Sequence, residues 1–411
     1  MSKYIIKNKN ILILLLISLA YFFTLFHRYS LAVLAINIID EVSFVKDKLG
    51  LIGSAYFYFY APMLFFSGVI VDYFGSKFSL KIGLSLLTVG CLLFSRASSL
   101  SLFFIGRGIL GLGSAFVTIP SIKLIRETFQ EKKFGVMLGI KNTVGYTGVI
   151  MASFPFAFLL SYLSWRTVYL LIGIITGLLT IISLILLPHQ GAKIYKEKNG
   201  LMINKIYTLM KIPRLWMLSI WMFMFTGSKL AFQALWAGPY FVKVYGISYY
   251  PLILLIISVG STVGLLIMGI ISDLSSNRRK TLIYATFIVF SLWFILYIFP
   301  NKLTAIITIF FYFILGINFA SFSLAIMEVR DICKLEFTGM AVGIISSIGF
   351  FGSALFTQIG NVFYKSTRGI DTTEIFQFKT MFLLNSLVIL FVLILLILYE
   401  IRSKMKIKLI R

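Results

Sequence analysis

Two basic side chains, Arg28 and Lys229, lie inside long apolar segments of this 411-residue chain, where a positive charge could bind an anion. A charge at the centre of a membrane-spanning helix costs roughly 2.5–3.5 kcal/mol even on the most permissive scale, so such residues usually serve a function. Of the 14 acidic residues, thirteen fall at segment ends or in loops, and Glu328, at the end of the tenth segment, is the one candidate for a place within the membrane. An internal ion pair is therefore the weaker interpretation, and a small external anion is the expected partner.

Several polar and aromatic side chains are candidates to line a pocket around these cations. Tyr56 and Tyr60 are four residues apart, which places them on one face of a helix. Gln233 and Trp236 follow Lys229 by one to two helical turns on roughly its face. Ordinary packing inside a helix bundle explains the same four residues, and their spacing does not distinguish packing from substrate binding.

His27 adjoins Arg28 and is the histidine of the apolar segments. Because histidine changes its charge near neutral pH, His27 is a candidate carrier of a coupling proton. A structural hydrogen-bond donor among the surrounding aromatic residues is the alternative interpretation.

The elements that must position these residues are apolar runs long enough to cross a bilayer. The chain is 59% hydrophobic and 13% charged with a mean hydropathy of +0.98, which excludes an ordinary soluble domain. Twelve runs of membrane-spanning length are predicted at 11–38, 49–71, 79–95, 101–125, 135–160, 167–187, 215–242, 250–272, 281–299, 303–327, 337–363 and 378–400. The sequence therefore predicts an all-α membrane protein with an N-terminal six-helix bundle over 1–188, a cytoplasmic linker over 189–214 and a C-terminal six-helix bundle over 215–411.

The net charge of +24 orients these segments. With a cytoplasmic N-terminus, the cytoplasmic loops and tails hold 24 Lys and Arg residues and the opposite loops hold nine. By the positive-inside rule both termini are expected in the cytoplasm, and the basic excess reflects topology rather than a nucleic-acid surface. No cluster with metal-ligand or nucleophile spacing is visible, so neither a cofactor nor an enzymatic activity is expected.

A loop motif follows the second segment in the string Gly-Val-Ile-Val-Asp-Tyr-Phe-Gly-Ser-Lys, in which Gly68, Asp72, Gly75 and Lys77 are the key positions. The string resembles the signature of the major facilitator superfamily, Gly-x-x-x-Asp-Arg-x-Gly-Arg-Lys, although a tyrosine and a serine replace two basic residues. Gly68 is expected to permit close helix approach and Gly75 a tight turn.

A weaker copy of the motif recurs 201 residues later as Gly269 and Asp273, and the same offset superimposes Arg28 on Lys229. The resemblance implies two pseudo-symmetric six-helix bundles, with the first and seventh helices lining a central cavity. It implies that the motif is conformational, with Asp72 near the N-terminus of span eleven at Gly339 and Lys77 near Glu127.

Arg107 precedes closely spaced glycines in the fourth segment, which resembles a fourth-helix motif of the same family. It is a candidate for the cavity or for proton relay, or else a structural arginine that binds backbone carbonyls of a neighbouring helix. Lys123 and Glu328 occupy matching places in the two halves, and either pair as a gate or lie at the water interface.

Glycines of the fifth segment recur in the eleventh at an offset of 204, and are expected to let helices pack closely. They are Gly135, Gly139, Gly145 and Gly148, followed by Gly339, Gly343, Gly349 and Gly352.

These features predict a secondary active transporter of a small anionic or zwitterionic organic solute, such as an organic acid, an amino acid or peptide, or a phosphorylated metabolite. The first-helix arginine resembles that of organophosphate–phosphate antiporters and related organic-anion transporters. A drug/proton efflux transporter and a non-transporting membrane sensor with the same fold are the alternatives. A multi-pass monomer in the bilayer of the bacterial inner membrane is expected, with a small-molecule substrate and no nucleic-acid partner.

Overall fold

The computed structural model describes residues 2–42, 44–187, 207–275, 278–300, 303–333, 335–366 and 375–410, and the regular structure in these ranges is helical. Contacts group the chain into two compact units, Met1–Asn199 and Gly200–Arg411. The predicted linker 189–214 lies outside the described residues as far as residue 206.

The first unit contains eight helices in the described ranges. They are α1 (Ser2–Tyr29), α2 (Leu31–Glu41), α3 (Val45–Phe74), α4 (Ser76–Ser95), α5 (Leu100–Thr128), α6 (Glu131–Met151), α7 (Phe154–Leu160) and α8 (Trp165–Leu186).

The second unit has a π-helical turn in its first span and divides its fourth span rather than its fifth. Its elements in the described ranges are α9 (Pro213–Ala231), a π-helical turn (Phe232–Trp236), α10 (Ala237–Tyr245), α11 (Tyr250–Leu274), α12 (Arg278–Ile298), α13 (Ala305–Phe319), α14 (Phe322–Ile332), α15 (Leu335–Ser366) and α16 (Ile375–Ile410).

Eleven helical segments in the described ranges are long and apolar enough to cross a membrane. The bent pair formed by α6 and α7, which meet at 47°, supplies a twelfth span. The all-α membrane fold with two halves of six spans is thereby confirmed. The sequence-based spans overlap every one of these segments, but the interruptions within single spans were not expected.

The same helix contact is built twice, once in each unit. A Cβ placed on Gly148 of α6 would collide with the Phe22 carbonyl of α1, and a Cβ placed on Gly352 of α15 would collide with the Phe223 carbonyl of α9. Glycine is therefore required at both positions by backbone-to-backbone approach, as predicted from the repeated spacing. The repeat found in the sequence is therefore also a repeat of one helix–helix contact.

Four glycines of the same pattern have a different environment. A Cβ placed on Gly135, Gly139, Gly339 or Gly343 would meet no described atom within 4 Å. The expectation of close packing is thus wrong for these four glycines and right for Gly148 and Gly352. The difference arises because only the later glycines lie where the two helices of a pair come into contact.

Two spans are divided into successive helical elements shortly after a buried cation. Arg28 lies in the last turn of α1, and Ser30 then separates α1 from α2. Lys229 lies in the last turn of α9, and the π-helical turn at Phe232–Trp236 follows. Such π-helical turns occur frequently at functional sites because the extra residue per turn redirects side chains.

Candidate functional site

Arg28 is 6% exposed and its guanidinium lies against two tyrosine rings of α3. The Cζ atom is 4.6 Å from the ring centroid of Tyr60 and 5.9 Å from that of Tyr56. The two rings are stacked with centroids 5.6 Å apart, so α3 presents them as one face, as their spacing predicts. The rings hold the guanidinium by cation–π attraction, which is strongest away from water.

Three further tyrosines surround the same cation. The phenol groups of Tyr21, Tyr29 and Tyr146 lie close enough to the Arg28 guanidinium to interact with it electrostatically. Phenol hydroxyls both donate and accept hydrogen bonds. The first unit therefore surrounds one buried positive charge with groups that can bind the oxygens of an anion.

Lys229 is 5% exposed and lies against the aromatic side chains of the helix pair α13 and α14. Its Nζ atom is 4.6 Å from the ring centroid of Phe322 and 6.0 Å from that of Phe319. The cation at the equivalent place in the second unit is thus also buried among rings, but these rings carry no hydroxyl groups.

The π-helical turn orients the two other residues predicted beside Lys229. The amide Nε2 of Gln233 donates to the Ser261 hydroxyl at 3.3 Å, and its Oε1 is buried without a hydrogen-bond partner among the described residues. The indole of Trp236 donates to the Thr357 carbonyl of α15 at 3.2 Å. Gln233 therefore keeps a free acceptor, whereas Trp236 is anchored to a neighbouring helix.

His27 and Arg107 adjoin the tyrosines of α3, since the Arg107 Cζ atom lies 5.1 Å from the ring centroid of Tyr56, which Arg28 also contacts. The Nε2 atom of His27 is 3.3 Å from the Cys91 sulfur, and the imidazole contacts the Tyr169 ring at 5.8 Å. Arg107 donates from Nη1 to the His27 carbonyl at 2.7 Å. The contacts of His27 fit a structural role. Arg107 binds a backbone carbonyl, as its structural alternative expects, but it also lies against Tyr56 beside Arg28.

The loop motif has the turn that its sequence predicts. Gly75 has a φ of +87° between α3 and α4, a conformation that favours glycine. The Glu127 carboxylate at the end of α5 accepts a hydrogen bond from Ser76, which adjoins Lys77. Gly68 does not show the expected close approach, because no described atom lies within 4 Å of a Cβ placed there.

Asp72 pairs with Lys123 of α5, with 2.5 Å between the Oδ1 and Nζ atoms. This pair was not predicted, since Lys123 was expected either to face Glu328 or to lie at the water interface. In the second copy, Gly269 also has open space around its Cα and Asp273 is exposed.

A buried ion pair in the second unit was missed by the sequence analysis. Arg214, at the start of α9, binds Glu328 of α14, and the two side chains are 5% and 2% exposed. Arg279 of α12 adds a second guanidinium 3.6 Å from the same carboxylate. The sequence did contain an indication of this pair. A membrane-embedded acid needs a base at the same depth, and Arg214 begins the seventh span whereas Glu328 ends the tenth.

Lys141 of α6 is a further deeply buried cation, for which the sequence assigned no role. It is 1% exposed, and its Nζ atom lies 3.5 Å from the ring centroid of Tyr21. In the sequence, this lysine is recognisable as a charged residue within an apolar, glycine-rich segment.

Curated relatives match part of this chain. The nitrate/nitrite transporter NrtP of Nostoc punctiforme is 28% identical over 44% of this chain and 38% of its own length. A probable hexose phosphate transport protein of Chlamydia pneumoniae is 26% identical over 38% of this chain and 34% of its own length. The multidrug resistance protein MdtL of Salmonella paratyphi C is 27% identical over 34% of this chain and 36% of its own length. The matches thus span little more than a third of each relative.

A solved structure shares the whole fold. The bacterial homologue of the human lysosomal transporter Spinster superimposes with a TM-score of 0.75 over 95% of this chain and 96% of its own, at 15% identity. The family model described as Major Facilitator Superfamily matches residues 17–357. With twelve spans in two equivalent halves and the loop motif after α3, the chain belongs to the Major Facilitator Superfamily and is a multi-pass membrane protein.

Proposed function

We propose that this protein is a secondary active transporter that moves a small anionic or zwitterionic organic solute by alternating access, with Arg28 and Lys229 as its anion-binding residues. The observation that carries the proposal is the equivalence of the two cations. Each is buried, each lies in the last turn of the first helix of its unit, and in each case a second helical element follows within a few residues in the same span.

The surroundings of Arg28 support an anion as the bound group. Tyr56 and Tyr60 contact the guanidinium through their ring faces, and a guanidinium has the paired donors that bind a carboxylate or phosphate. Two of the relatives carry names that specify anions, nitrate or nitrite and hexose phosphate.

The free acceptor of Gln233 indicates that the solute also carries a hydrogen-bond donor. Its Oε1 lies one turn beyond Lys229 and is buried. A solute with a hydroxyl or ammonium group beside its anionic group would satisfy this acceptor. The proposed class therefore includes zwitterions and hydroxylated acids.

Drug/proton efflux is the second candidate, and the multidrug relative favours it. Against it, span five lacks the Gly-Pro pair of the antiporter motif, since Gly148 and Pro155 are seven residues apart. The proposal also places both termini in the cytoplasm and the monomeric protein in the inner membrane, on the basis of the loop charges.

Uptake by purified protein in proteoliposomes tests the proposal. Labelled organic acids, phosphate esters and amino acids are compared with a cationic drug. Arg28→Ala and Lys229→Ala are expected to abolish uptake of the anionic solutes, while Arg28→Lys and Lys229→Arg retain part of it. Lys211→Ala, which removes an exposed lysine over Tyr207, is the control with normal uptake. Anion uptake that persists in both alanine variants, or transport of the cationic drug alone, overturns the proposal.

A further inference from the structure

Lys141 is fixed on the face of α6 that packs against α1. Lys141, Gly145 and Gly148 have the i, i+4, i+7 spacing of one helix face. A Cβ on Gly145 would collide with the Tyr21 ring, and a Cβ on Gly148 with the Phe22 carbonyl. The lysine therefore points into the contact between two helices and away from lipid, in agreement with its 1% exposure.

The helix geometry of α1 connects Lys141 to Arg28. Tyr21, whose ring lies 3.5 Å from the lysine Nζ, is seven residues before Arg28. Seven residues are close to two turns, so both side chains leave α1 on the same side, about 10 Å apart along the axis. Tyr146, five residues after Lys141, interacts electrostatically with both Tyr21 and Arg28. Two buried cations thus lie along one side of α1, each against a tyrosine ring.

The second unit shows that packing alone does not require these groups. At the repeat offsets, Lys141 corresponds to Ile345 and Tyr21 to Met222, while Arg28 corresponds to Lys229. The helix contact itself is retained, because a Cβ on Gly349 would lie 3.4 Å from the Met222 side chain. Ile345 is fully buried at the place where the first unit has the lysine.

The same backbone contact is therefore made with an apolar pair in one unit and a charged, hydroxylated pair in the other. Burial of an ammonium group is unfavourable compared with burial of an isoleucine of similar size. A group that is unfavourable for packing and absent from the equivalent contact requires another explanation, and ligand binding is the one that its chemistry fits.

We propose that Lys141 is a second anion-binding residue in the first unit and that the solute is a small organic dianion with two separate anionic groups. One group lies at Arg28, the other at Lys141, and the tyrosine hydroxyls between them bind the connecting atoms. Dicarboxylates and phosphorylated carboxylic acids have this arrangement. The inference rests on the proposed function, since it adds a residue and a substrate class to the same site.

Ligand-induced thermal stabilisation of the purified protein measures this preference directly. The probes are matched pairs of equal chain length, butyrate with succinate and valerate with glutarate, together with 3-phosphoglycerate. The wild-type protein is expected to bind each dianion about 10- to 100-fold more tightly than its matched monoanion, the range expected for added hydrogen bonds to a charged group.

Lys141→Ile, which installs the residue of the second unit, is expected to remove this preference and leave the affinity for monoanions unchanged. Lys141→Arg is expected to retain it. Ile345→Val is the matched control at the equivalent position. Lys141→Gln provides the same test with a polar side chain in case the isoleucine variant does not fold.

The outcomes separate this inference from the proposed function. Equal affinities of the wild-type protein for the members of each pair overturn the inference. A preference that survives in Lys141→Ile and Lys141→Gln also overturns it, and leaves the anion-transporter proposal intact. If Arg28→Ala still binds monoanions and dianions with wild-type affinity, the proposed function itself fails.

Discussion

At the scale of single residues, the two ion pairs at the ends of the spans are expected to contribute very differently to stability. Arg214 and Glu328 are almost fully buried, whereas the Asp72 side chain of the Asp72–Lys123 pair is 71% exposed. Removing one partner of a buried pair leaves an uncompensated charge, which typically costs about 3–5 kcal/mol. An exposed pair contributes only about 0–1 kcal/mol.

Arg214→Met is therefore expected to lower the thermal unfolding temperature strongly, and Asp72→Asn to change it little. The double variant Arg214→Met with Glu328→Leu should recover much of the loss, since a packed apolar pair replaces the ion pair. The measurement is thermal unfolding in detergent. Equal effects of Arg214→Met and Asp72→Asn would show that the buried carboxylate does not depend on Arg214, with Arg279 at 3.6 Å as its remaining partner.

His27 is expected to be a packing residue rather than a proton carrier. Its imidazole lies between Cys91 and the Tyr169 ring, and Arg107 binds its backbone carbonyl. His27→Gln should leave the pH dependence of uptake unchanged while lowering the unfolding temperature. Uptake across a pH series in proteoliposomes checks this. A pH profile that flattens in the variant would restore His27 as the coupling residue.

Part of the candidate site could be predicted from the sequence because its residues are rare in their context. A charge in an apolar run needs no structure to be noticed, and the repeat offset relates Arg28 to Lys229 without any alignment to other proteins. The orientation of a side chain around its helix is harder to derive. His27 and Arg28 are neighbours in sequence, yet one packs with Cys91 and the other with Tyr60, because successive helical residues point about 100° apart.

At the scale of helices, the repeated contact between the first and fifth spans of each unit depends on glycine. Gly148→Ala and Gly352→Ala each force a Cβ into the carbonyl of a neighbouring backbone, which cannot move aside as a side chain can. Both variants are expected to lower the unfolding temperature by a similar amount, because the two contacts have the same geometry.

Gly139→Ala and Gly343→Ala are the matched controls, since each has open space around the added methyl group. Alanine is the better helix former by about 1 kcal/mol, so these variants should be neutral or slightly stabilising. The unfolding temperatures of the four glycine-to-alanine variants test both expectations. Destabilisation by Gly139→Ala to the same extent as by Gly148→Ala would mean that helix propensity and not backbone contact controls this face.

Hydropathy did not predict the interruptions within spans. The bend between α6 and α7 coincides with Pro155 at the start of α7, whereas the π-helical turn at Phe232–Trp236 contains no proline. Hydropathy measures only the length and polarity of a run, and these properties are the same for a straight and an interrupted span. Tertiary packing within each unit decides the local geometry.

At the scale of the whole molecule, hydropathy was sufficient to predict the number of spans and their division into halves. Bilayer thickness fixes the length of a spanning helix, and backbone hydrogen bonding in lipid excludes irregular alternatives. The fold class therefore follows from composition and length alone. The identity of the solute does not, because it depends on a few side chains whose positions are set by the packing of separate helices.

Alternating access requires interactions at the cytoplasmic ends of the spans that form and break during each cycle. The Asp72–Lys123 pair, which joins the end of α3 to α5 beside the turn at Gly75, has the exposure expected of such an interaction. Asp72 lies more than 40 residues along the chain from Arg28 and is not part of the tyrosine cluster. Asp72→Asn is therefore expected to lower the maximal rate of uptake severalfold and to change the half-saturating solute concentration by less than about twofold, as for a conformational step rather than a binding step.

Initial rates of uptake in proteoliposomes over a range of solute concentrations measure both quantities. Lys123→Gln removes the other partner of the pair and should reproduce the effect, since either variant abolishes the attraction. Arg28→Lys provides the opposite pattern, a raised half-saturating concentration, because it alters the group that binds the solute. If Asp72→Asn raised the half-saturating concentration as Arg28→Lys does while its maximal rate stayed normal, the loop motif would contribute to binding, and its conformational role would have to be abandoned.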